Sequence, residues 1–309
     1  ALHRMKPYAE RTPDHQYRDI LRRIMTEGRE VVPIHSMLPG NKQGEKAKGL
    51  VGVQLRYNFQ NGFPVIGDRN LFEPINLFRS ALSEHIAFLH GARTYEDLKK
   101  FGCGFWKPWV TKEKCANFGL EEGDLGPGAY GAAWHDYPTA EGTPFNQIEH
   151  FMKQIIERPS LRTHIISPWI PQYSLQHSEL KRKVVVAPCH GYIHALAYPD
   201  KKELVIHHFQ RSGDFPVGVP FNIIQYAAFG MMVAKLMGYT MTELIHTFSD
   251  AHIYEGQYPF VEEILSREPK RLPTVTLQGD QKSIFDFTPD DFILSDYDAH
   301  PAMRIPTPV

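Results

Sequence analysis

Three things are scarce in this chain: cysteine, net charge and long apolar runs. Only Cys103, Cys115 and Cys189 carry thiols among 309 residues. Their spacings are unrelated, which excludes a disulfide framework and a cysteine zinc site and fits a reducing compartment. Lys and Arg number 34 against 35 Asp and Glu, a formal charge of −1. The basic residues are dispersed, so the footprint of a duplex nucleic-acid or anionic-membrane binder is missing, and any anion site must be local. No stretch reaches the roughly 18 uninterrupted apolar residues of a membrane span, and the run from Ala1 to Glu30 is too charged for a secretory signal. The expected location is the cytoplasm. Sixteen histidines are many, yet no pair has a metal-ligand spacing with a third ligand, so no metal is expected.

What the chain does have is apolar residues, 42% of the total, enough at this length to bury a large core. No compositional shift forces a boundary, so one domain over residues 1–309 is expected, with a helix and a basic loop in its first fifty residues. His15 to Glu27 spaces Tyr17, Ile20, Leu21 and Ile24 at helical intervals. Pro39 to Lys48 is rich in Gly and Lys and reads as a loop, after which Val51 to Phe59 alternates as a strand does. Glu73 to His90 reads as a helix with Ile75, Phe78, Leu82, Ile86 and Leu89 in one stripe and Gly91 past its end. Glu84 lies off that stripe but is flanked by Leu77, Ala81 and Phe88, an unusual setting for a carboxylate. Phe145 to Arg158 is a further amphipathic helix, stopped by Pro159. Ile223 to Met237 is apolar almost all round, the mark of a helix buried at the centre of a fold, with Asn222 at its N-cap position. From Phe248 onward, short strands and proline-punctuated turns are expected.

Chemistry concentrates in Val184-Val185-Val186-Ala187-Pro188-Cys189-His190, followed by Gln210-Arg211-Ser212-Gly213-Asp214 and Gly218-Val219-Pro220-Phe221-Asn222. A thiol, an Arg/Ser pair, a carboxylate and an amide together look like a nucleotide site built around a nucleophile. The runs Lys183 to Tyr198 and Glu203 to Arg211 predict a hairpin with Cys189 on its first arm and Arg211 ending its second. Gly123 to Gly131 has too many glycines for regular structure and reads as a loop presenting Asp124 and Tyr130. Each residue has a plainer competitor: a buried structural thiol for Cys189, a strand-end ion pair for Arg211 and Ser212, and a cap for Asn222. For His252 and Tyr254 the competitor is two rings on one strand face that satisfy each other, and for Trp106 and Trp109 it is a core anchor. A neighbouring imidazolium or guanidinium would favour the attacking thiolate, which raises Cys189 above a lone cysteine. Adjacent Cys189 and His190 suggest a cysteine hydrolase, but neighbours on a strand point to opposite faces, which argues against that base.

Taken in order, these stretches resemble the thymidylate synthase family along nearly the whole chain. The resemblance is carried by Tyr57-Asn58-Phe59-Gln60-Asn61-Gly62-Phe63-Pro64, Gly123 to Trp134, Ala187-Pro188-Cys189-His190, Gln210 to Asn222, Asp250 to Tyr254, Leu265-Ser266-Arg267-Glu268-Pro269, Ser283-Ile284-Phe285-Asp286-Phe287 and Tyr297-Asp298-Ala299-His300-Pro301. It implies a three-layer α/β fold with a large mixed sheet at a homodimer interface and a buried central helix. The substrates it implies are a pyrimidine nucleoside monophosphate and 5,10-methylenetetrahydrofolate. By the same resemblance Cys189 is the nucleophile, Glu84 the proton relay, Tyr130 the group associated with removing the C5 proton, and Asp214 a folate contact at the catalytic centre. Arg211, Ser212 and a partner-donated Arg162 would hold phosphate, Asn222 the base edge and His252 and Tyr254 the ribose, with His190 beside them. Trp106, Trp109, Gly218 and the closing tail ending at Val309 would face folate.

Departures accompany the matches. The family's second interface arginine is Thr163 here, which removes a charge-assisted contact of about 1.5–3 kcal/mol; Lys42 or Lys46 of the basic loop is a candidate replacement. His85, Ile86 and Ala87 follow Glu84 where the family has leucines and a tryptophan, His194 replaces a glutamine and Gly213 a cysteine. Two outcomes follow from one intermediate: hydride transfer gives thymidylate, water capture gives a hydroxymethyl nucleotide. The matching tryptophans and tail favour methylation, and Asn222 favours uracil over cytosine because the two ring edges demand opposite hydrogen-bond partners. A non-catalytic nucleotide sensor is the more distant alternative.

Overall fold

The computed structural model describes residues 5–31 and 45–308. Val309, Lys42 and most of the expected basic loop lie outside them. Helix α1 (Gln16–Glu27) turns Tyr17, Ile20, Leu21 and Ile24 inward, as the helical spacing requires. Strands β1 (Arg29–Val31) and β2 (Ala47–Asn58) follow. Helix α2 (Leu77–Leu89) starts later than the apolar stripe suggests, because Asn76 caps it by accepting from Arg79 N–H and Pro74 ahead of it disfavours helix at Glu73. Ile75 is therefore outside the helix and 63% exposed. Gly91, φ +82°, ends the element in the left-handed region, as expected.

Short helices α3 (Tyr95–Lys100), α4 (Lys112–Ala116) and α5 (Tyr130–His135) and the longer α6 (Gln147–Glu157) lead to β3 (Ile165–Ile166) and α7 (Pro171–Ser174). The hairpin is β4 (Tyr192–Tyr198) with β5 (Glu203–Asp214), antiparallel, Tyr192 opposite Phe209. It is shorter on its first arm than the sequence suggested, and Cys189 sits on the loop before β4. The chain turns at Gly191, φ +98°, where a Cβ would stand 2.9 Å from Trp134 Cζ2, so only glycine fits.

Helix α8 (Gly218–Met237) and β6 (Thr240–Tyr254) complete a six-stranded sheet in the order β1-β2-β6-β5-β4-β3. Only β5 and β6 pair in parallel. A parallel pair needs a crossover, and α8 is that crossover, packed on β5, β6 and α2. By length and composition α8 would cross a membrane, yet 78% of its most apolar window is buried in the fold. It begins at Gly218, not at Ile223, since Pro220 is tolerated in a first turn that needs no amide partner. Asn222 is consequently inside the helix, not at its cap.

Alternation on β5 sends Leu204, Ile206, His208 and Gln210 into the core and turns His207 and Phe209 outward. The outward face also carries Tyr198 and Ile165, 48% and 56% exposed. Beyond β6 the chain forms α9 (Tyr258–Ser266) before the two-stranded sheet of β7 (Thr274–Leu277) and β8 (Phe292–Ser295). That helix was missed, because it is only nine residues long and has Pro259 in its first turn.

Candidate active site

The loop carrying Cys189 meets the end of β5. Arg211 N–H donates to Cys189 O at 2.8 Å, extending the strand pairing past its formal end. The Arg211 guanidinium donates through Nε to Pro188 O, 2.7 Å, and through Nη2 to Ala187 O, 2.7 Å, and to Cys189 Sγ, 3.4 Å. Its Cζ lies 5.7 Å from the centroid of the Trp169 ring. Thiol and guanidinium are thus neighbours, as expected, although by a loop-to-strand contact. Cys189 remains partly accessible, whereas Cys103 and Cys115 are buried. Cys189 N–H donates to Tyr130 Oη, 2.8 Å.

Tyr130 begins α5 instead of lying in a loop, and it is stacked between Phe88 at 5.0 Å and His190 at 4.5 Å. Burial, and then the nearby Cys189, push its phenol well above the usual range. His190 is bonded through Nδ1 to Tyr226 Oη and held down to about 3 by burial, with His85 and Arg211 adding to the effect. It is therefore a neutral core group bonded to Tyr226, while the Cys189 thiol bonds Ala187 O and Arg211, which leaves no Cys189–His190 dyad. The opposite-faces argument does not apply, because neither residue is on a strand, but its conclusion stands. Asp124 is held by Arg93 in a bidentate pair at 2.9 Å, so it organises the loop instead of being presented by it.

A second group of contacts surrounds Glu84. Trp106 Nε1–H donates to its Oε2 at 2.8 Å and Gln225 Nε2–H to its Oε1 at 2.9 Å. Burial pushes this carboxyl up to about 7 against the opposite pull of those two bonds, because the ionised form loses its hydration. Gln225 Oε1 accepts from Asn222 Nδ2, 3.1 Å, and Asn222 Oδ1 accepts from Gln210 Nε2, 3.0 Å. Trp106 and Trp109 lie 6.4 Å apart, and Phe105 stands edge-on to Phe221 at 5.6 Å. Tryptophan is thus a ligand of the carboxylate as well as an apolar wall.

Ser212 Oγ donates to Asp250 Oδ2 at 2.9 Å, which also meets His252 Nδ1 at 3.1 Å. Burial pushes the Asp250 carboxyl up, but bonds and charge from His252, Ser212 and Arg211 outweigh it and hold it below the usual range. His252 and Tyr254 share a strand face, ring centroids 5.0 Å apart. Burial raises Asp214, partly offset by His252, Gln257, Val217 N–H and Arg69. Gln257 Nε2 donates to Asp214 and to Pro306 O, 2.8 Å, tying the C-terminal segment to the site. Gly218 opens α8 beside Asp214 and Asn222. Arg162 stands exposed ahead of β3 with its carbonyl bonded to His194 Nε2, 3.0 Å, and takes no part in the contacts around Cys189. Lys46 reaches Glu30 at 3.4 Å. Among the described residues no group of three His, Cys, Asp or Glu side chains is arranged to hold a metal.

Sequence reading missed Gln210, Gln225, His208, His246, Asp250 and Gln257 as site-supporting groups. A signal existed for the first four: a polar residue at a position that strand or helix periodicity sends inward must find a partner. The residue types suit a folate-type co-substrate, since indoles and phenyl rings offer apolar surface and Asp214, partly buried, a carboxylate.

The family model described as Thymidylate synthase matches residues 15–309. With its mixed sheet and central crossover helix, the chain belongs to the thymidylate synthase family.

Proposed function

We propose that this enzyme transfers the one-carbon unit of 5,10-methylenetetrahydrofolate to C5 of dUMP and releases dTMP. The observation that carries the reading is Cys189 Sγ, partly accessible and touched by Arg211 Nη2 at 3.4 Å. The thiolate adds to C6 of the ring and C5, now enolate-like, bonds the folate methylene carbon. Loss of the C5 proton breaks the bond from that carbon to the folate nitrogen and leaves an exocyclic methylene. Hydride from the released tetrahydrofolate reduces it to methyl as the C6–S bond breaks and dihydrofolate forms. Tyr130, whose hydroxyl lies 2.8 Å from Cys189 N, stands where that proton departs. Glu84, buried and raised to about 7, exchanges a proton at neutral pH through water. Asn222 reads the base edge, and His252 and Tyr254 read the ribose.

Arg211 and Ser212 take the phosphate, with Arg162 supplied by the second subunit of a homodimer. Three observations support the dimer: the sheet face bearing Phe209, Tyr198 and Ile165 is left exposed by the helices, Arg162 sits at its edge, and Arg211 ends the same face. Trp106, Trp109 and Asp214 hold the folate, and the segment anchored at Pro306 by Gln257 closes over it, excluding water. The unpaired thiols suit the cytoplasm.

Hydroxymethylation by water capture is the second reading, favoured by the polar amide of Gln225 on the Glu84 carboxylate. Purified protein with dUMP and methylenetetrahydrofolate decides: dihydrofolate forming in step with product means methylation, tetrahydrofolate with a hydroxymethyl nucleotide means capture by water. Either reaction falls by more than ~10⁴-fold in Cys189→Ser. Undiminished turnover in that variant removes the covalent mechanism.

A further inference from the structure

Behind Asn222 the amide chain continues into a pair of fully buried histidines. His246 Nε2 lies 2.9 Å from Gln210 Oε1 and 2.9 Å from His208 Nδ1, and Gly191 N–H donates to His208 Nε2 at 2.8 Å. All of these side chains are at most 2% exposed, and Asn222 is 6% exposed. Two backbone carbonyls, which can only accept, fix the polarity of the chain. Gln210 Nε2 donates to Ser212 O at 3.0 Å, and Gln225 Nε2 donates to Ala81 O at 3.1 Å. Both glutamine nitrogens therefore face those carbonyls. Asn222 must then give Oδ1 to Gln210 and Nδ2 to Gln225, leaving one Nδ2–H and one Oδ1 lone pair for a ligand.

The histidine pair is asked for two things at once. Gly191 N–H demands an unprotonated His208 Nε2, so neutral His208 carries its proton on Nδ1, aimed at His246 Nε2. Gln210 Oε1 demands a proton on that same His246 Nε2. One nitrogen cannot accept from His208 and donate to Gln210 together, so the bond His246 makes decides how firmly Gln210 is held.

Resting on the reading of Asn222 as the contact to the base edge, we propose that His246 is a positioning residue for base choice. Its Nε2–H holds Gln210 Oε1, which keeps Gln210 Nε2 on Asn222 Oδ1 and tightens the orientation of the Asn222 amide that the two carbonyls set. Uracil offers a ring N–H donor beside a carbonyl acceptor, and cytosine offers the reverse. An amide that cannot invert accepts one and rejects the other.

The test is the ratio of kcat/KM for dUMP over dCMP with methylenetetrahydrofolate. In His246→Leu that ratio falls at least ~10-fold, because Gln210 loses the donor to its Oε1 and holds Asn222 Oδ1 less firmly. In His246→Gln it recovers, since a glutamine Nε2 takes the place of the ring Nε2–H. In His208→Leu, an equally buried change that removes the competitor together with the acceptor for Gly191 N–H, the ratio is raised. A fall of equal size in His208→Leu and His246→Leu marks general loosening of the core and overturns the proposal. So does an unchanged ratio in His246→Leu with a wild type that discriminates; that result leaves the assigned reaction intact. Wild-type protein that neither binds nor converts either nucleotide overturns the reading of the site and this proposal with it. Should His246→Leu fail to fold, histidine ¹⁵N shifts of the wild-type nucleotide complex decide: an Nε2–H tautomer at His246 supports the assignment, and an Nδ1–H tautomer overturns it.

Discussion

Both halves of α8 are largely buried and do different work. Its first turns place Asn222 and Gln225 in a chain of directed bonds between Gln210 and Glu84, whereas its later turns present Ala227, Ala228, Phe229, Met232, Val233 and Ala234 to the core. Non-directional contact stabilises the second half in proportion to buried area. The first half gains little net stability from its bonds, since each only replaces one to water, but any broken bond strands a buried polar group. What the polar half supplies is orientation. The contrast is between directed bonds at one end of a helix and non-directional packing at the other.

Three substitutions probe that division. Phe229→Ala, in the apolar half, is expected to lower unfolding free energy by about 3–5 kcal/mol and leave kcat/KM of the folded enzyme within a few-fold of wild type. Chemical denaturation alongside steady-state kinetics measures both, and a loss of activity per folded molecule would erase the contrast. Glu84→Gln is expected to reduce kcat by roughly 10²-fold while affecting stability in a pH-dependent way. Glu84 is raised from 4.5 to about 7, so its contribution to stability is present below pH ~4.5 and is lost as pH rises through ~7. The neutral variant therefore gains on wild type between pH 5 and pH 8, by up to about 3 kcal/mol. Melting curves at the two pH values check the sign; a gain at pH 5 that vanishes at pH 8 contradicts it.

His85→Leu has the smallest expected effect. His85 is ringed by Trp134, Tyr226 and Phe229, its Nε2 has no partner, and burial holds it down to about 3. Removing a buried group that bonds nothing should raise stability by about 1 kcal/mol, read as an increase in denaturation midpoint with kcat little altered. A large kinetic defect would mean that the polar function of the core extends beyond the first half of α8.

Much of the architecture was legible because periodicity reports burial directly. The spacing of Tyr17, Ile20, Leu21 and Ile24 gave α1, and the all-round apolar run gave α8. The errors share a cause: local signals of start and stop compete with tertiary contacts. Asn222 has a capping side chain, but Gln210 from another element claims its oxygen. Val184 to Val186 has strand-like composition, yet the segment stays irregular, with Val185 N–H donating to Leu125 O instead of joining the hairpin. Helix α9 was hidden by its proline and its shortness.

Sequence by itself determined the thiol, the guanidinium, the carboxylate and the family to which the chain belongs, because residue type and order along one dimension suffice for these. Only the tertiary structure decided that Trp106 and Gln225 share Glu84, and that Cys189 approaches Arg211 from a loop. It alone placed His208 and His246 behind Gln210 and Asn222. Hydrogen bonds depend on distance and direction between groups far apart in the chain, and no one-dimensional pattern encodes which donor reaches a given acceptor first.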